Sequence, residues 1–145
     1  MKANKIYQMY NSKTIDRSSC VEIQLGKQRK KRYKDSSTFF TTSDFLLLEH
    51  TIWDNHREYS PNSTVIIQSK EWVKVIEGIK RLSVLLQNTE YQDEFIYELG
   101  LKTHDKESYI ENYLTINNNI DKMLVSFINW LEPKLESNEY LTIAG

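Results

Sequence analysis

Residues 64–86 read TVIIQSKEWVKVIEGIKRLSVLL and contain a strand pattern followed at once by a helix pattern. Residues 64–68 are mostly β-branched and apolar, which predicts a short buried strand. Ser69 can cap a helix over residues 69–87. The apolar residues of that helix recur with a 3.6-residue period: Trp72, Val75, Ile76, Ile79, Leu82 and Leu86. Gly78 lies inside the helix, where it costs about 1 kcal/mol relative to alanine, and it predicts a close packing contact.

The sequence before this stretch predicts a β-hairpin over residues 20–41. In residues 20–25 apolar and polar side chains alternate, which is the period of a half-buried strand. Residues 38–41 are β-branched and aromatic, as expected of a returning strand. The loop between the two strands would hold a basic run over residues 27–34.

Helical spacing of apolar residues predicts four further helices, over residues 43–58, 89–99, 105–114 and 116–132. Thr41–Asp44 offers side-chain acceptors for the free N–H groups at the start of the first of these. Pro133 is expected to end or kink the last one.

A terminal strand over residues 140–143 is expected to pair with Val65–Ile67. Strands near both ends of a mainly helical chain predict an α+β fold. At 145 residues the chain has the commonest size of one domain, so residues 1–145 are predicted to form a single, mostly helical domain with a small β-sheet.

The charges of the chain are sorted by position. Residues 1–40 hold ten Lys/Arg against three Asp/Glu, a net charge of +7, and residues 87–145 hold four against eleven, a net charge of −7. The total of −1 therefore conceals two opposed electrostatic ends. Fields of that kind steer association with charged partners.

The basic run 27–34 is the strongest local pattern. It contains six cations in eight residues, together with Tyr33, which can stack on a base. Such a run can neutralise phosphates of a nucleic acid. A solvated hairpin loop and contact with an acidic protein are the alternatives, and no helix-turn-helix, zinc-finger or RNA-recognition motif accompanies the run.

The acidic half predicts a protein-binding surface. Its carboxylates follow helical spacing, and like charges at that spacing repel each other, so the surface favours a cationic partner. Tyrosines among them can serve as interface anchors. The predicted partner-binding residues, called the acidic surface below, are Glu90, Tyr91, Asp93, Glu94, Tyr97, Glu98, Glu107 and Glu111. An ordinary solvated helix face is the alternative.

Patterns for catalysis, metal binding or cofactor binding are weak. His50, Asp54 and Glu58 lie four residues apart on one predicted helix, but His56 points elsewhere and no H-E-x-x-H motif or second ligand cluster occurs. Glycine-rich phosphate loops are absent from the sequence. Cys20 precedes a strand and is expected to be a buried structural cysteine. We therefore expect no enzyme, no cofactor and no metal site.

Three segments carry a resemblance to a known class of proteins. They are Phe39–Phe45 leading into a helix, Phe127–Leu131 in the late amphipathic helix, and the end Tyr140–Gly145. In this architecture the chain resembles the small immunity proteins of bacterial contact-dependent inhibition and other polymorphic toxin systems. The resemblance implies a stoichiometric inhibitor that binds one cognate toxin domain, with no transferable residue roles.

The expected compartment is the cytoplasm. The first residues lack the apolar run of a signal peptide, and no stretch approaches 18 apolar residues. The expected partner is a toxin domain, for which a nuclease is one candidate. A nucleic-acid-associated protein that uses residues 27–34 is the alternative function.

Overall fold

A computed structural model describes residues 6–27, 31–88 and 103–145. In the last of these stretches it describes the side chains of Glu111 and of residues 113–145 only. The elements, in chain order, are β1 (Cys20–Leu25), β2 (Thr38–Thr41), α1 (Thr42–Asn55), β3 (Thr64–Gln68), α2 (Ser69–Leu86), α3 (Thr103–Ser137) and β4 (Tyr140–Ala144). The predicted α+β class, mostly helical with a small sheet, is confirmed. The helix predicted over residues 89–99 lies outside the described residues.

The four strands form one antiparallel sheet in the order β2-β1-β4-β3. β1 and β2 pair as predicted, with Val21 opposite Phe40. The terminal strand also pairs with the predicted partner, because Val65 lies opposite Ile143 and Ile67 opposite Leu141. β4 is thereby a central strand that joins β1 to β3.

One face of the sheet packs against the helices and forms the main core. Its strand residues are Val21, Ile23, Val65, Ile67, Leu141 and Ile143, all buried with the apolar faces of α1, α2 and α3. Phe127 of α3 meets Phe40 and Trp72 edge-on, with ring centroids 4.9 and 6.4 Å apart. The indole N–H of Trp72 donates to the carbonyl of Leu141 at 3.2 Å, which ties α2 to the central strand.

The other face of the sheet is covered as well. It carries Glu22, Gln24 and Thr142, and all three polar residues are buried. The chain that leaves β1 folds back over them: Gln24 Nε2 donates to the carbonyl of Lys31 at 2.7 Å, and Thr142 Oγ1 donates to the carbonyl of Gly26 at 2.6 Å. The basic run is therefore partly built into a layer on the sheet.

A second apolar cluster lies next to this layer. It consists of Ile15, Cys20 and Phe39, with Tyr10 and Tyr33 packed against it. Tyr10 also forms a β-bridge with Phe39 at the edge of the sheet. The residues before β1 thus help to cover the face that is remote from the helices.

α1 begins where the sequence predicts and ends earlier. Thr41 is its N-cap, and its hydroxyl accepts from the backbone N–H of Asp44 at 3.2 Å. The predicted end at residue 58 is wrong, because His56 already has an extended backbone while its N–H caps the carbonyl of Ile52. Tyr59 then turns back into the core cluster.

The prediction of two separate helices over residues 105–114 and 116–132 is wrong, because α3 is a single helix. Half-buried Tyr113 lies one turn before the buried Ile116, and Ile120 follows one turn later. This apolar stripe runs across the supposed boundary, so the helix buries one continuous face from Tyr113 to Ile120.

Of the two predicted effects of Pro133, an end or a kink, the end is wrong, because α3 continues to Ser137. Proline removes the donor that would have bonded the carbonyl of Asn129. Both residues are exposed, so water can satisfy that carbonyl and the helix continues.

Candidate protein-binding surfaces

Most of the acidic surface lies outside the described residues. This holds for Glu90, Tyr91, Asp93, Glu94, Tyr97 and Glu98, and for the side chain of Glu107. Glu111 is exposed on α3. The acidic surface accordingly stays a prediction from the sequence.

Two aromatic residues of the acidic half pack against the main core. Tyr113 is half-buried and packs against the main core, and so does Trp130. Trp130 stacks on Phe127 with ring centroids 6.5 Å apart, and Lys134 lies over its ring. Their contribution is mainly to packing.

A buried carboxylate holds the end of the basic run. Glu22 Oε1 accepts from Arg32 Nε at 2.9 Å and from the backbone N–H of Tyr33 at 2.8 Å, and Oε2 accepts from the N–H of Lys34 at 3.0 Å. Its side chain is 0% exposed. Burial alone would raise the pKa of Glu22, but the hydrogen bonds from Lys34, Tyr33 and Arg32 outweigh it and hold the pKa below its ordinary value.

The ring of Tyr33 already has partners within the chain. It stacks on Phe39 with ring centroids 6.3 Å apart, and the guanidinium groups of Arg17 and Arg32 lie 4.4 and 5.1 Å from its centroid. Its backbone has a φ of 63°, in the left-handed region. The ring of Tyr33, which the sequence suggested for stacking on a base, therefore makes structural contacts within the chain.

The remaining described cations of the run differ in exposure. Lys31 is exposed, whereas Lys34 is partly buried. Lys27 lies over the ring of Tyr140 at 4.1 Å from the centroid. A fully solvated hairpin loop is thus the wrong description of residues 31–34.

The candidate acid–base residues of α1 do not form one group. His50 Nε2 lies 3.2 Å from Asp54 Oδ2, as their four-residue spacing allows. Glu58 is 91% exposed and lies 4.0 Å from Nε2 of His56, away from that pair. His56, just beyond α1, is half-buried and contacts Glu71 of α2 through its Nδ1, a contact that spacing within α1 could not predict.

A cavity of about 310 Å³ lies on the outer side of the end of α1. It is lined by Glu49, His50, Trp53, Tyr59, Ser60 and Pro61. The hydroxyl of Tyr59 donates to Glu49 Oε1 at 2.7 Å. Burial, followed by the contact with Glu49, raises the pKa of Tyr59, so this hydroxyl stays a donor.

Little in the sequence indicates this cavity. Trp53 reads as a widening of the apolar stripe, yet its side chain is 43% exposed. Tyr59 lies just beyond the predicted helix over residues 43–58, and its return to the core places it in the wall of the cavity. A large aromatic residue at the edge of a helical stripe is the one feature that could have drawn attention to the site.

The remaining observations assign no chemistry to the chain. Over residues 6–27, 31–88 and 103–145, no group of three or more His, Cys, Asp or Glu is placed to hold a metal ion, and no helix is long and apolar enough to cross a membrane. Cys20 is buried, and burial raises the pKa of its thiol. Comparisons with protein-family models, curated proteins and solved structures find no match for the chain.

Proposed function

We propose that this chain is a binding protein that neutralises a cognate bacterial toxin, as an immunity protein acting in the cytoplasm. It would dock the acidic surface on a basic toxin domain, for which a nuclease is one candidate. The observation that carries the proposal is the charge segregation, with a net charge of −7 over residues 87–145.

The contacts of Glu22 favour the acidic end over the basic end as the binding surface. Arg32 is engaged by that buried carboxylate, and Tyr33 is engaged by Phe39 and two guanidinium groups. Part of the basic run is thus committed to the fold. The acidic half has eleven carboxylates against four cations, so most of its charge has no counterpart of opposite sign in the same half.

The mix of residues in the acidic surface suits rapid and specific association. Carboxylates accelerate the encounter with a basic partner, since complementary fields raise the association rate constant. Tyr91 and Tyr97 lie in sequence among them, and buried tyrosines often supply a large share of the binding energy. A stoichiometric inhibitor needs both properties.

Co-expression tests the proposal. Cells would express a candidate toxin domain from a gene adjacent to the one for this chain, together with the wild-type chain or with a variant in which Glu90, Asp93, Glu94 and Glu98 are changed to Lys. We expect the wild-type chain to protect the cells and the variant to lose protection, because reversed charges repel a basic domain.

A matched control carries the same change of charge elsewhere. Glu77, Glu132, Glu136 and Glu139 are exposed and lie outside the acidic surface, so changing all four to Lys should preserve protection. Protection by the acidic-surface variant, or equal loss in both variants, would contradict the proposed surface. Failure of the wild-type chain to protect would contradict the function itself.

The alternative function, association with nucleic acid, is supported by the exposure of Lys27 and Lys31 in the basic run. Lys27, Lys31 and Lys34 can be changed to Gln while Arg32 keeps its contact with Glu22. If nucleic acid is the partner, gel retardation of a duplex or single-stranded oligonucleotide should fall steeply with salt, and this variant should flatten the dependence. Absence of retardation at low salt would remove the alternative.

A further inference from the structure

The cavity at the end of α1 is bounded by mixed aromatic, apolar and polar surface, with the carboxylate of Glu49 and the imidazole of His50 in its lining. Trp53, Tyr59 and Pro61 form much of its wall, and Glu49 lies beside them. Its volume of about 310 Å³ is near the lower limit for ligand pockets. The cavity therefore suits a single side chain better than a cofactor.

Trp53 is held in place from within the chain. The guanidinium of Arg57 lies 3.8 Å from the centre of the Trp53 ring, a cation–π distance, and Arg57 Nη2 lies 3.6 Å from Asp54 Oδ1. A ring that is already fixed loses little conformational entropy when a partner covers it. Trp53 is thus a prepared anchor on an exposed helix face.

The charges around the cavity favour a cation. Glu49 lines it, and the hydroxyl of Tyr59 engages its Oε1, which orients the carboxylate. No Lys or Arg is among the lining residues of the described chain. The charge of Arg57, on the neighbouring surface, is offset by Asp54.

We propose that this cavity receives a lysine or arginine side chain of a protein partner. The aliphatic stem of that side chain would lie along Trp53 and Pro61, and its charged end would pair with Glu49. Exposed Leu46 lies two helical turns before Trp53 on α1 and extends the apolar contact. The identity of the partner as a basic toxin domain rests on the proposed function; the assignment of the cavity does not.

A titration with small cations tests the assignment without any toxin. The probes are n-butylguanidinium and n-butylammonium, with n-butanol as the neutral control of equal chain length. The readout is the indole N–H resonance of Trp53 in a ¹H–¹⁵N spectrum, and Trp72 and Trp130 serve as internal references for the fold. We expect saturable shifts of the Trp53 resonance with both cations and much weaker ones with the alcohol.

The Glu49→Gln variant decides the role of the carboxylate. A glutamine oxygen can still accept from Tyr59, so the fold is preserved while the charge is removed. We expect Kd for n-butylguanidinium to rise by about tenfold, the effect of losing one charged hydrogen bond. Glu77→Gln, at an exposed carboxylate outside the cavity, should leave Kd unchanged.

Three results would overturn the assignment: no saturable shift with either cation, an equal response to n-butanol, or an unchanged Kd in Glu49→Gln with undisturbed Trp72 and Trp130 resonances. The same variant and Trp53→Leu should weaken binding of the toxin domain, and full affinity in both would exclude the cavity as a partner contact. If the wild-type chain binds no toxin while the cations still titrate, the proposed function fails and the cavity assignment stands.

Discussion

The contacts of Glu22 change the interpretation of the basic run 27–34 from a binding segment to a segment that is partly structural. Its carboxylate is buried on the sheet face remote from the helices and accepts hydrogen bonds from Arg32, Tyr33 and Lys34. An unpaired charge there would be costly, so Glu22 and the end of the basic run stabilise each other. Part of the basic run therefore stabilises the fold.

Replacing Glu22 by Gln tests that role. The glutamine amide keeps the shape of the side chain. Its NH₂ group, however, cannot accept a hydrogen bond from a backbone N–H group that donates to the carboxylate in the wild-type chain. We expect the free energy of unfolding at pH 7 to fall by about 1–3 kcal/mol, the cost of breaking buried hydrogen bonds. Urea unfolding measures it, and Glu77→Gln is the exposed control.

The pH dependence of this difference has a defined sign. The pKa of Glu22 is lowered in the folded chain, so its contribution is fully present above the ordinary value of 4.5 and is lost as pH falls through the lowered pKa. Wild type and Glu22→Gln should therefore converge in stability at acid pH. A gap that stays constant from pH 7 to pH 3 would contradict the role of the charge.

The sequence could not predict the contacts of Glu22. Alternation in residues 20–25 correctly predicts which side chains share a face with Glu22 and which point to the core. It does not reveal that the opposite face is covered, because that depends on where residues 31–37 return. A strand with polar residues on one face reads the same whether water or a folded loop lies over it.

At the scale of elements, α1 and α2 meet closely at Gly78. A Cβ built on Gly78 would lie 2.5 Å from Cγ2 of Thr51, which is shorter than any normal contact. The close contact predicted for Gly78 is therefore confirmed. Thr51 is buried and β-branched, so it has little freedom to turn away.

Gly78→Ala should lower the free energy of unfolding by about 1–2 kcal/mol, because the overpacking at Thr51 exceeds the gain in helix propensity. In a Thr51→Ser background, which removes Cγ2, the same change should be neutral or stabilising by up to about 1 kcal/mol. Urea unfolding of the four chains in this double-mutant cycle checks it. Stabilisation by Gly78→Ala in the wild-type background would contradict the contact.

Elements with a regular apolar period were largely predictable, whereas their ends and junctions were not. α2 is observed almost as predicted, because the spacing of Trp72, Val75 and Ile79 fits a helix and no other element. The sequence prediction divided α3 in two between residues 114 and 116, although the stripe of Tyr113, Ile116 and Ile120 crosses that boundary, and it did not foresee that the helix continues past the exposed Pro133. α1 ends where His56 meets Glu71, a tertiary contact that local sequence does not contain.

At the scale of the whole molecule, the positive and negative ends of the chain differ in how far their charges take part in the fold. Part of the positive end is folded against the sheet through Glu22, while the negative half includes exposed Glu111. The candidate surfaces differ in the same way. The acidic surface stays a prediction from charge and spacing, whereas the α1 cavity depends on the return of Tyr59 to Glu49.

Association kinetics of the purified chain with a toxin domain from which it protects cells test the central claim most directly. The wild-type association rate constant should fall steeply as salt rises from about 50 to 300 mM, because screening weakens steering over that range. The acidic-surface reversal should lower the rate constant at low salt by about tenfold or more and remove the salt dependence, while the control reversal keeps both near wild type. An acidic-surface variant that associates at the wild-type rate with wild-type salt dependence would contradict the account.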